Sequence, residues 1–304
     1  MKVNVYLSYY NGSEYIDDQI ASLLKQKNVD VHIYIRDDGS NETEAAYIDK
    51  YCGYNKITVI HSENLGFGRS FMWLANKIAE KADFYAFCDQ DDVWLNNKLE
   101  KACERLKKYT EPAAYSALPQ YVDSKLSPLN GCSSMVDHLH FGKMNVDDAL
   151  GYQFFGLGCT FVWNNALNNI LHKIDLKYYS FAHDNFLSVL TPFIGTFYRD
   201  DSQVLLYRQH NRNASGNKKA KRCVFKKITD ILKDHGNSKN FLMRKYIVEN
   251  FREYMSNNNL KLLEKSVNYR TNISDKIKLI RRELHRVDQD RKIKNLIRIL
   301  TNQY

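Results

Sequence analysis

Three aspartates, Asp89, Asp91 and Asp92, directly follow the apolar run Phe84–Cys88. The run is apolar on both faces, which predicts a fully buried strand, and open α/β sheets bind ligands at the carboxyl ends of such strands. Carboxylates this close repel one another unless a cation or hydrogen-bond donors hold them. One interpretation is a Mg²⁺ or Mn²⁺ site that binds a diphosphate. The other is an acidic turn in which Asp92 caps a helix over about 93–109.

A second acidic turn closes the strand-like run Val31–Arg36, with Asp37 and Asp38 followed by Gly39 and Ser40. A carboxylate at this edge can accept hydrogen bonds from a ribose hydroxyl or a base N–H. The alternative is a simple strand-to-helix turn, for which Asp and Gly supply the usual chemistry. Two acidic clusters at consecutive strand ends favour the binding interpretation.

Gly66 and Arg69 stand where a third strand-like run passes into a helical one. Glycine there lets the backbone approach a phosphate, and arginine can pair with it. Gly66 and Gly68 begin a dinucleotide-binding pattern whose last glycine is replaced by Phe71, so an NAD-dependent enzyme is a weaker alternative.

Two polar segments further along the chain could act at the same edge. Asp184 opens an apolar helix, either as a cap or as the general base that removes a proton from an attacking hydroxyl. In the loop after a late strand, His210 could complete a cation site and Arg208 could neutralise a diphosphate. The alternative for that loop is a polar surface segment.

These residues need a sheet to bring them together, and the first half of the chain predicts one. Strand-like and helix-like segments alternate with short turns, which indicates an α/β fold with a mostly parallel, doubly wound sheet. The Gly-rich stretch 154–162 predicts a buried strand with close backbone packing. A helix is expected from near Ala182.

Composition and charge divide the chain in two. The 304 residues carry a net charge of +9, but Lys218 to Tyr304 alone holds 23 Lys and Arg against 9 Asp and Glu. We therefore expect one domain over 1–216 and a basic helical region over 217–304. Basic amphipathic helices favour an anionic membrane surface; the alternatives are a brace for the first domain, a homo-oligomer contact, or nucleic-acid binding.

Six cysteines without C-x-x-C spacing, no secretory signal and no apolar stretch near the roughly 18 residues of a membrane span indicate a cytoplasmic protein with reduced thiols.

Taken in order, these motifs resemble family 2 glycosyltransferases of the GT-A fold over about residues 1–216. The spelling Asp89-Gln90-Asp91-Asp92-Val93-Trp94, with Tyr207-Arg208-Gln209-His210 and Ala214-Ser215-Gly216, is similar to the rhamnosyltransferase-like branch of bacterial surface-polysaccharide enzymes. Many relatives have Glu-Asp where this chain has His183-Asp184.

The resemblance implies specific roles. Asp184 would be the catalytic base, and Asp89, Asp91 and His210 would serve the metal, Mg²⁺ or Mn²⁺. Asp38 would contact the nucleotide. The residues expected to bind the donor are Ser8, Asn11, Asp37, Asp38, Asn64, Gly66, Arg69, Asp89, Gln90, Gly156, Gly158 and Arg208.

The implied reaction is inverting transfer of a sugar from a nucleoside diphosphate donor, dTDP-rhamnose or a UDP-sugar. The acceptor would be a hydroxyl of a growing capsule or O-antigen glycan, or of its lipid-linked precursor. The expected location is the cytoplasm, with peripheral attachment to the inner face of the plasma membrane; no nucleic-acid partner is expected.

Overall fold

Four strands near the N-terminus form the parallel half of one sheet in this computed structural model, which describes residues 1–129, 139–152, 154–211 and 239–304. They are β1 (Lys2–Tyr9), β2 (Asp30–Asp38), β3 (Ile57–Ser62) and β4 (Phe84–Cys88). Their order is β3-β2-β1-β4, with every neighbour parallel. The carboxyl ends therefore meet at one edge, where the register pairs Tyr9 with Asp37 and Leu7 with Cys88.

The helices between these strands cover the sheet. They are α1 (Ile16–Leu24), α2 (Glu42–Ile48) and α3 (Phe67–Lys77). Alternating apolar residues of β1 and β2, such as Val5 and Ile33, are fully buried, and all five residues of β4 are buried. Burying such side chains contributes about 25 cal/mol per Å² of apolar surface, which is what holds the strand ends in place.

The remaining strands give the sheet a mixed second half. They are β5 (Val93–Trp94), β6 (Ala113–Val122), β7 (Gly142–Met144), β8 (Val162–Asn164) and β9 (Thr196–Arg208). β6 and β9 are parallel, whereas β8 runs antiparallel to β4 and β6, and β5 and β7 run antiparallel to β9. The predicted α/β class is confirmed, with parallel pairing strongest in the N-terminal half.

Two local predictions are wrong. The helix expected over 93–109 starts late, because Val93 and Trp94 pair with β9 and α4 (Lys98–Leu106) begins only afterwards. Asp92 is therefore not a helix cap; its Oδ1 accepts a hydrogen bond from the Arg208 backbone N–H at 3.1 Å. The expected buried strand over 154–162 is a 3-10 turn at Gly158–Thr160 followed by β8.

The chain forms two compact units. The first comprises Met1–Met144, Phe154–Thr191 and Gly195–Gly216 and contains the sheet, α6 (Asn165–Leu171) and most of α7 (His183–Ile194). The second comprises Asn145–Gln153, Pro192–Ile194 and Asn217–Tyr304. It therefore takes in two short segments from before the proposed domain boundary at residue 216, and that boundary itself lies outside the described residues.

The described part of the second unit is helical, as expected for the basic region. Its helices are α5 (Val146–Gly151), α8 (Lys239–Phe251), α9 (Asn257–Asn268), α10 (Ile273–Leu284) and α11 (Gln289–Leu300), written in chain order. Ile247, Leu263, Leu279 and Ile299 are buried among them. No helix in the described ranges has the length and apolar character needed to cross a membrane.

Candidate functional site

The acidic segment after β4, Asp89–Asp92, places three carboxyl groups close together where burial limits their contact with water. Burial, reinforced by the charges of Asp91 and Asp184, raises the pKa of the Asp89 carboxyl. Burial also raises the pKa of Asp92 well above its ordinary value, with Asp91 and Asp89 adding to the effect. Asp92 Oδ2 is buried and has no hydrogen-bond partner among the described residues. Such an arrangement favours a cation that would neutralise the cluster.

Asp91 lies beside His210, and the expectation that both bind a metal stays a prediction. The distance between His210 Nε2 and Asp91 Oδ2 is 2.9 Å, and the His210 ring stacks on Tyr15 with centroids 4.7 Å apart. The pairing of β5 with β9 places His210 there, since Val93 is opposite Leu206. Residues 119 positions apart in sequence are thereby brought into one contact.

Arg208 is buried and fastens three segments at this edge. Its Nε donates to the Asp91 carbonyl at 2.8 Å, Nη1 to the Ser124 carbonyl at 2.6 Å, and Nη2 to Asp18 Oδ2 at 2.9 Å. The guanidinium also lies over the Tyr15 ring, 4.6 Å from its centroid. These contacts make Arg208 a brace of the acidic segment, and its predicted contact with a diphosphate stays a prediction.

A buried lysine beneath the acidic segment was not foreseen. Lys98 is fully buried; its Nζ donates to the Cys159 carbonyl at 2.6 Å and lies 2.8 Å from the centroid of the Trp94 ring. Burial lowers the pKa of Lys98 to about 7, although the nearby Asp92 and Asp89 act in the opposite direction. No sequence pattern identifies it, because a lysine at a helix start is ordinarily solvated.

The donor atoms around the cluster fit a divalent cation. Within the described ranges, one ligand atom each of Asp89, Asp92 and Cys159 lie within 4.8 Å of one another. Asp91 with His210 supplies a third carboxylate and an imidazole close by. Carboxylate oxygens suit Mg²⁺ and Mn²⁺, and an imidazole is compatible with the latter. The nearby ammonium of Lys98 offsets only part of the negative charge.

Asp184, the predicted base, lies at the start of α7 and near Asp89. Burial raises the pKa of Asp184 to about 6, while the Asn185 backbone N–H donates to its Oδ1 at 2.7 Å. The charge of Asp184 in turn contributes to the raised pKa of Asp89, so the two carboxylates share one electrostatic environment. A carboxylate with a raised pKa is a better proton acceptor near neutral pH.

His183 lies in an apolar setting beside the predicted base. Its ring packs against Phe71 and Phe87, with centroids 4.3 and 4.7 Å away, and burial lowers its pKa to about 3. Neither ring nitrogen has a hydrogen-bond partner among the described residues. A Cβ placed on Gly158 would lie 2.1 Å from His183 Nε2, so this predicted pocket glycine is what admits the imidazole.

At the end of β2, Asp38 is held by protein groups. Its carboxylate forms a buried ion pair with Arg36 and accepts from the backbone N–H groups of Leu65 and Gly66 at 2.8 and 2.9 Å. Asn64 Oδ1 also accepts from the Gly66 N–H, at 3.1 Å. Asp38 thus fixes the loop before α3, and its contact with a nucleotide stays a prediction.

Asp37 organises the neighbouring turn. Its Oδ1 accepts from the Ser40 N–H at 2.9 Å, and its Oδ2 lies 3.0 Å from His61 Nδ1. Ser40 Oγ accepts from the Asn11 N–H at 2.9 Å, and Asn11 Oδ1 accepts from the Asn41 N–H at 3.1 Å. The loops after β1 and β2 are therefore bonded to each other.

Gln90 bonds the acidic segment to the loop after β1. Its Oε1 accepts from the Tyr10 N–H at 2.7 Å, and its Nε2 donates to the Tyr10 carbonyl at 3.1 Å. A Cβ on Gly12 would lie 2.3 Å from the Gln90 Cδ atom, so the side chain fills the space that glycine leaves.

Three other predicted residues also have protein partners. Ser8 Oγ donates to Ser70 Oγ at 2.7 Å, and Arg69 Nη2 donates to the Leu176 carbonyl at 3.2 Å. Gly156 packs against Ser116. The structure brings Asp89, Asp91, His210 and Asp184 into one region, whereas Asp38, Ser8, Arg69 and Arg208 hold the loops that frame the sheet edge. Ala214, Ser215 and Gly216 lie outside the described residues.

A family model described as Glycosyl transferase family 2 matches residues 5–130. Among curated proteins, the dTDP-rhamnosyl transferase RfbG of Shigella flexneri is 28% identical over 233 residues, which span 69% of this chain and 73% of the relative. Glycosyltransferase GlyG of Streptococcus pneumoniae is 24% identical over 107 residues, 35% of each chain.

Solved structures share the fold at low sequence identity. The S. aureus TarS 1-349 complex with UDP has a TM-score of 0.58 and 13% identity, covering 100% of this chain and 89% of TarS. The TarS complex with UDP-GlcNAc has a TM-score of 0.57 and 13% identity, covering 98% and 81%. At this identity the likeness confirms the GT-A fold.

Proposed function

We propose that this chain, whose residues 5–130 match the family model of glycosyl transferase family 2, transfers a sugar from a nucleoside diphosphate donor to an acceptor hydroxyl, with inversion. The observation that supports the proposal best is the convergence of Asp184, with a pKa raised to about 6, on the acidic segment that contains Asp89.

Asp184 is the proposed general base. Its carboxylate accepts the proton of the acceptor hydroxyl while that oxygen forms the bond to the anomeric carbon. The bond from the anomeric carbon to the diphosphate oxygen breaks in the same step, and its electron pair leaves with the diphosphate. His183 is neutral at physiological pH because burial lowers its pKa to about 3, so it adds no positive charge that would weaken the base.

Asp91 and His210, with Asp89, are the proposed ligands of a Mg²⁺ or Mn²⁺ ion. Bound there, the ion would supply positive charge to the departing diphosphate. The chain's own part is to hold the ligands in place: Arg208 fixes the Asp91 backbone, and Gln90 fixes the acidic segment to the loop after β1.

The donor we propose is dTDP-rhamnose, with a UDP-sugar as the second candidate. RfbG carries the description of a dTDP-rhamnosyl transferase and TarS was solved with UDP and UDP-GlcNAc, so each candidate is drawn from a protein that this chain resembles. The proposed acceptor is a bacterial surface glycan or its lipid-linked precursor. Asp37 and Asp38 remain the proposed nucleoside contacts.

The test is turnover of a donor panel. Purified full chain would be incubated with dTDP-rhamnose and several UDP-sugars, with Mn²⁺, Mg²⁺ or a chelator, and release of nucleoside diphosphate measured. We expect metal-dependent release from one donor and a thermal shift on binding it. Absence of binding and turnover with every nucleotide sugar would refute the proposed glycosyl transfer. Full turnover in the presence of the chelator would refute the proposed role of the metal ion.

A further inference from the structure

Helix α10 exposes a row of apolar side chains and buries two acidic ones. Asp275, Leu279 and Glu283 are buried, whereas Ile273, Ile277 and Leu284 are 78%, 45% and 53% exposed. The exposed three are spaced four and seven residues apart, with half-buried Ile280 between them, so they form one stripe along the helix. A helix in a water-soluble unit normally turns such a stripe inward.

Charged contacts fix this orientation. Glu283 accepts hydrogen bonds from Arg286 Nε at 2.7 Å, from Asn295 Nδ2 at 3.0 Å and from the Tyr304 hydroxyl at 3.3 Å. Arg282 forms an ion pair with Asp147 within the same unit. Rotating the helix to bury its isoleucines would break this network and leave a buried carboxylate unpaired, which is costly. The stripe is therefore held outward.

The exposed apolar surface continues beyond α10. Val287, in the following turn, is 91% exposed, and Ile293 and Leu300 on α11 are 56% and 62% exposed. Every exposed isoleucine or valine in the described ranges lies between Ile273 and Leu300. We call these six residues the apolar stripe: Ile273, Ile277, Leu284, Val287, Ile293 and Leu300.

Basic side chains border the apolar stripe. On α10, Lys276 and Arg281 lie to either side of the Ile277–Leu284 line. The described residues 239–304 hold 16 Lys and Arg against 7 Asp and Glu, and Arg244 is buried together with two of the acids, Asp275 and Glu283. The exposed charge around the stripe is thus strongly positive.

We propose that the apolar stripe is a docking surface for an anionic lipid bilayer. Apolar side chains bordered by Lys and Arg match the boundary between acyl chains and anionic headgroups. There the apolar side chains insert among the acyl chains, and the Lys and Arg side chains pair with the headgroups. The phosphates of a nucleic acid would pair with the basic side chains but would leave the isoleucines exposed to water. A second copy of the chain would bring the same positive charge against itself, which opposes association.

The test is co-flotation of the full chain with vesicles of phosphatidylcholine, with and without phosphatidylglycerol. We expect binding to the anionic vesicles, weakened by high salt. The double variant I277E/L284E should lower the partition coefficient by at least about tenfold, since two inserted side chains become charged. I277W/L284W keeps the surface apolar and should still float.

Leu24→Glu is the matched control, because Leu24 is also an exposed aliphatic residue but lies on α1 in the first unit. It should float like the unchanged chain, and circular dichroism should show equal helix content in all variants. Equal flotation of I277E/L284E would overturn the proposal, and so would equal binding to vesicles without phosphatidylglycerol. Dimerisation that I277E/L284E abolishes, with no flotation, would overturn it in favour of a second copy.

Because flotation needs no sugar donor, its outcome is independent of the proposed glycosyl transfer.

Discussion

His210 Nε2 lies 2.9 Å from Asp91 Oδ2, although 119 positions in the sequence separate the two residues. The contact depends on β5, a two-residue strand that pairs with β9 and sets both side chains at the same sheet edge. A carboxylate and an imidazole held together in this way are ready to share a cation.

His210→Ala is therefore expected to raise the Mn²⁺ concentration needed for half-maximal transfer by at least about tenfold, as loss of a metal-supporting group commonly does. The measurement is initial rate against Mn²⁺ at saturating donor. Gln209→Ala changes the adjacent residue and should leave the Mn²⁺ dependence unchanged. An unaltered Mn²⁺ dependence in His210→Ala would restrict His210 to holding Asp91.

Asp184→Asn should reduce transfer by about 100-fold to 10,000-fold, the usual contribution of a general base. In the unchanged enzyme, kcat/KM should rise with pH through about 6, because Asp184 accepts a proton only when it is ionised. Below that pH, kcat/KM should fall about tenfold per pH unit, as expected for protonation of a single group. A pH profile without this acidic limb would exclude Asp184 as the base.

The same substitution should not lower the Tm at neutral pH. Burial raises the pKa of Asp184, so the folded state favours the protonated carboxyl. The stability that this protonation contributes is complete below 3.8 and is lost as pH rises through about 6. An uncharged side chain avoids that cost. Asp175→Asn, an exposed residue on a loop of the same unit, is the control for both readouts.

Gly158→Ala should destabilise the fold by about 1–3 kcal/mol, the usual cost of overpacking. The reason is the 2.1 Å approach of a Cβ at this position to His183 Nε2. The check is chemical denaturation of Gly158→Ala, His183→Ala and the double variant. If the clash is with His183, the double variant should be more stable than the sum of the single effects, by more than about 0.5 kcal/mol; additive effects would contradict it.

His61→Gln should destabilise the protein more at acidic than at alkaline pH. Hydrogen bonds to Asp37 and Asp49 raise the pKa of His61 above 6.5. The stabilisation is therefore complete below 6.5 and is lost as pH rises through the folded-state pKa. The Tm difference from the unchanged chain should be larger at about pH 6 than at about pH 9.

His32→Gln is the contrasting variant, because burial lowers the pKa of His32. Its protonation opposes folding, so its effect on Tm should depend on pH in the opposite direction. A Tm difference for His61→Gln that does not change with pH would show that the ion pairs with Asp37 and Asp49 contribute no stability.

The parallel half of the sheet could be predicted from sequence because its signals are local. Phe84–Cys88 is apolar on both faces and bounded by aspartates, and it forms β4 with those bounds. The position of the acidic segment at the sheet edge follows from this, since parallel strands end at the same edge. Asp91 and His210 are predicted metal ligands, a role that stays a prediction, and the pairing of β9 with β5 explains why they touch.

The errors arose where long-range contacts outweigh local pattern. Asp92 has the sequence position of a helix cap, yet its carboxylate accepts a hydrogen bond from the backbone N–H of Arg208, 116 residues away. The stretch around Gly158 has the composition of a strand, yet it forms a 3-10 turn in which Gly158 lies against His183. Lys98 has no recognisable sequence signal, because its buried ammonium is held by a contact with the Trp94 ring and by a hydrogen bond to the Cys159 carbonyl, 61 residues away.

The contact between Gln90 and Gly12 has a consequence for evolution and for engineering. A side chain at position 12 needs the volume that the Gln90 amide fills, so the two positions should change together: a larger residue at 12 calls for a shorter one at 90. Gln90 also sits between Asp89 and Asp91. Chimeras that graft the acidic segment from a relative should therefore carry the loop after β1 with it, because Gln90 contacts both Gly12 and Tyr10 of that loop.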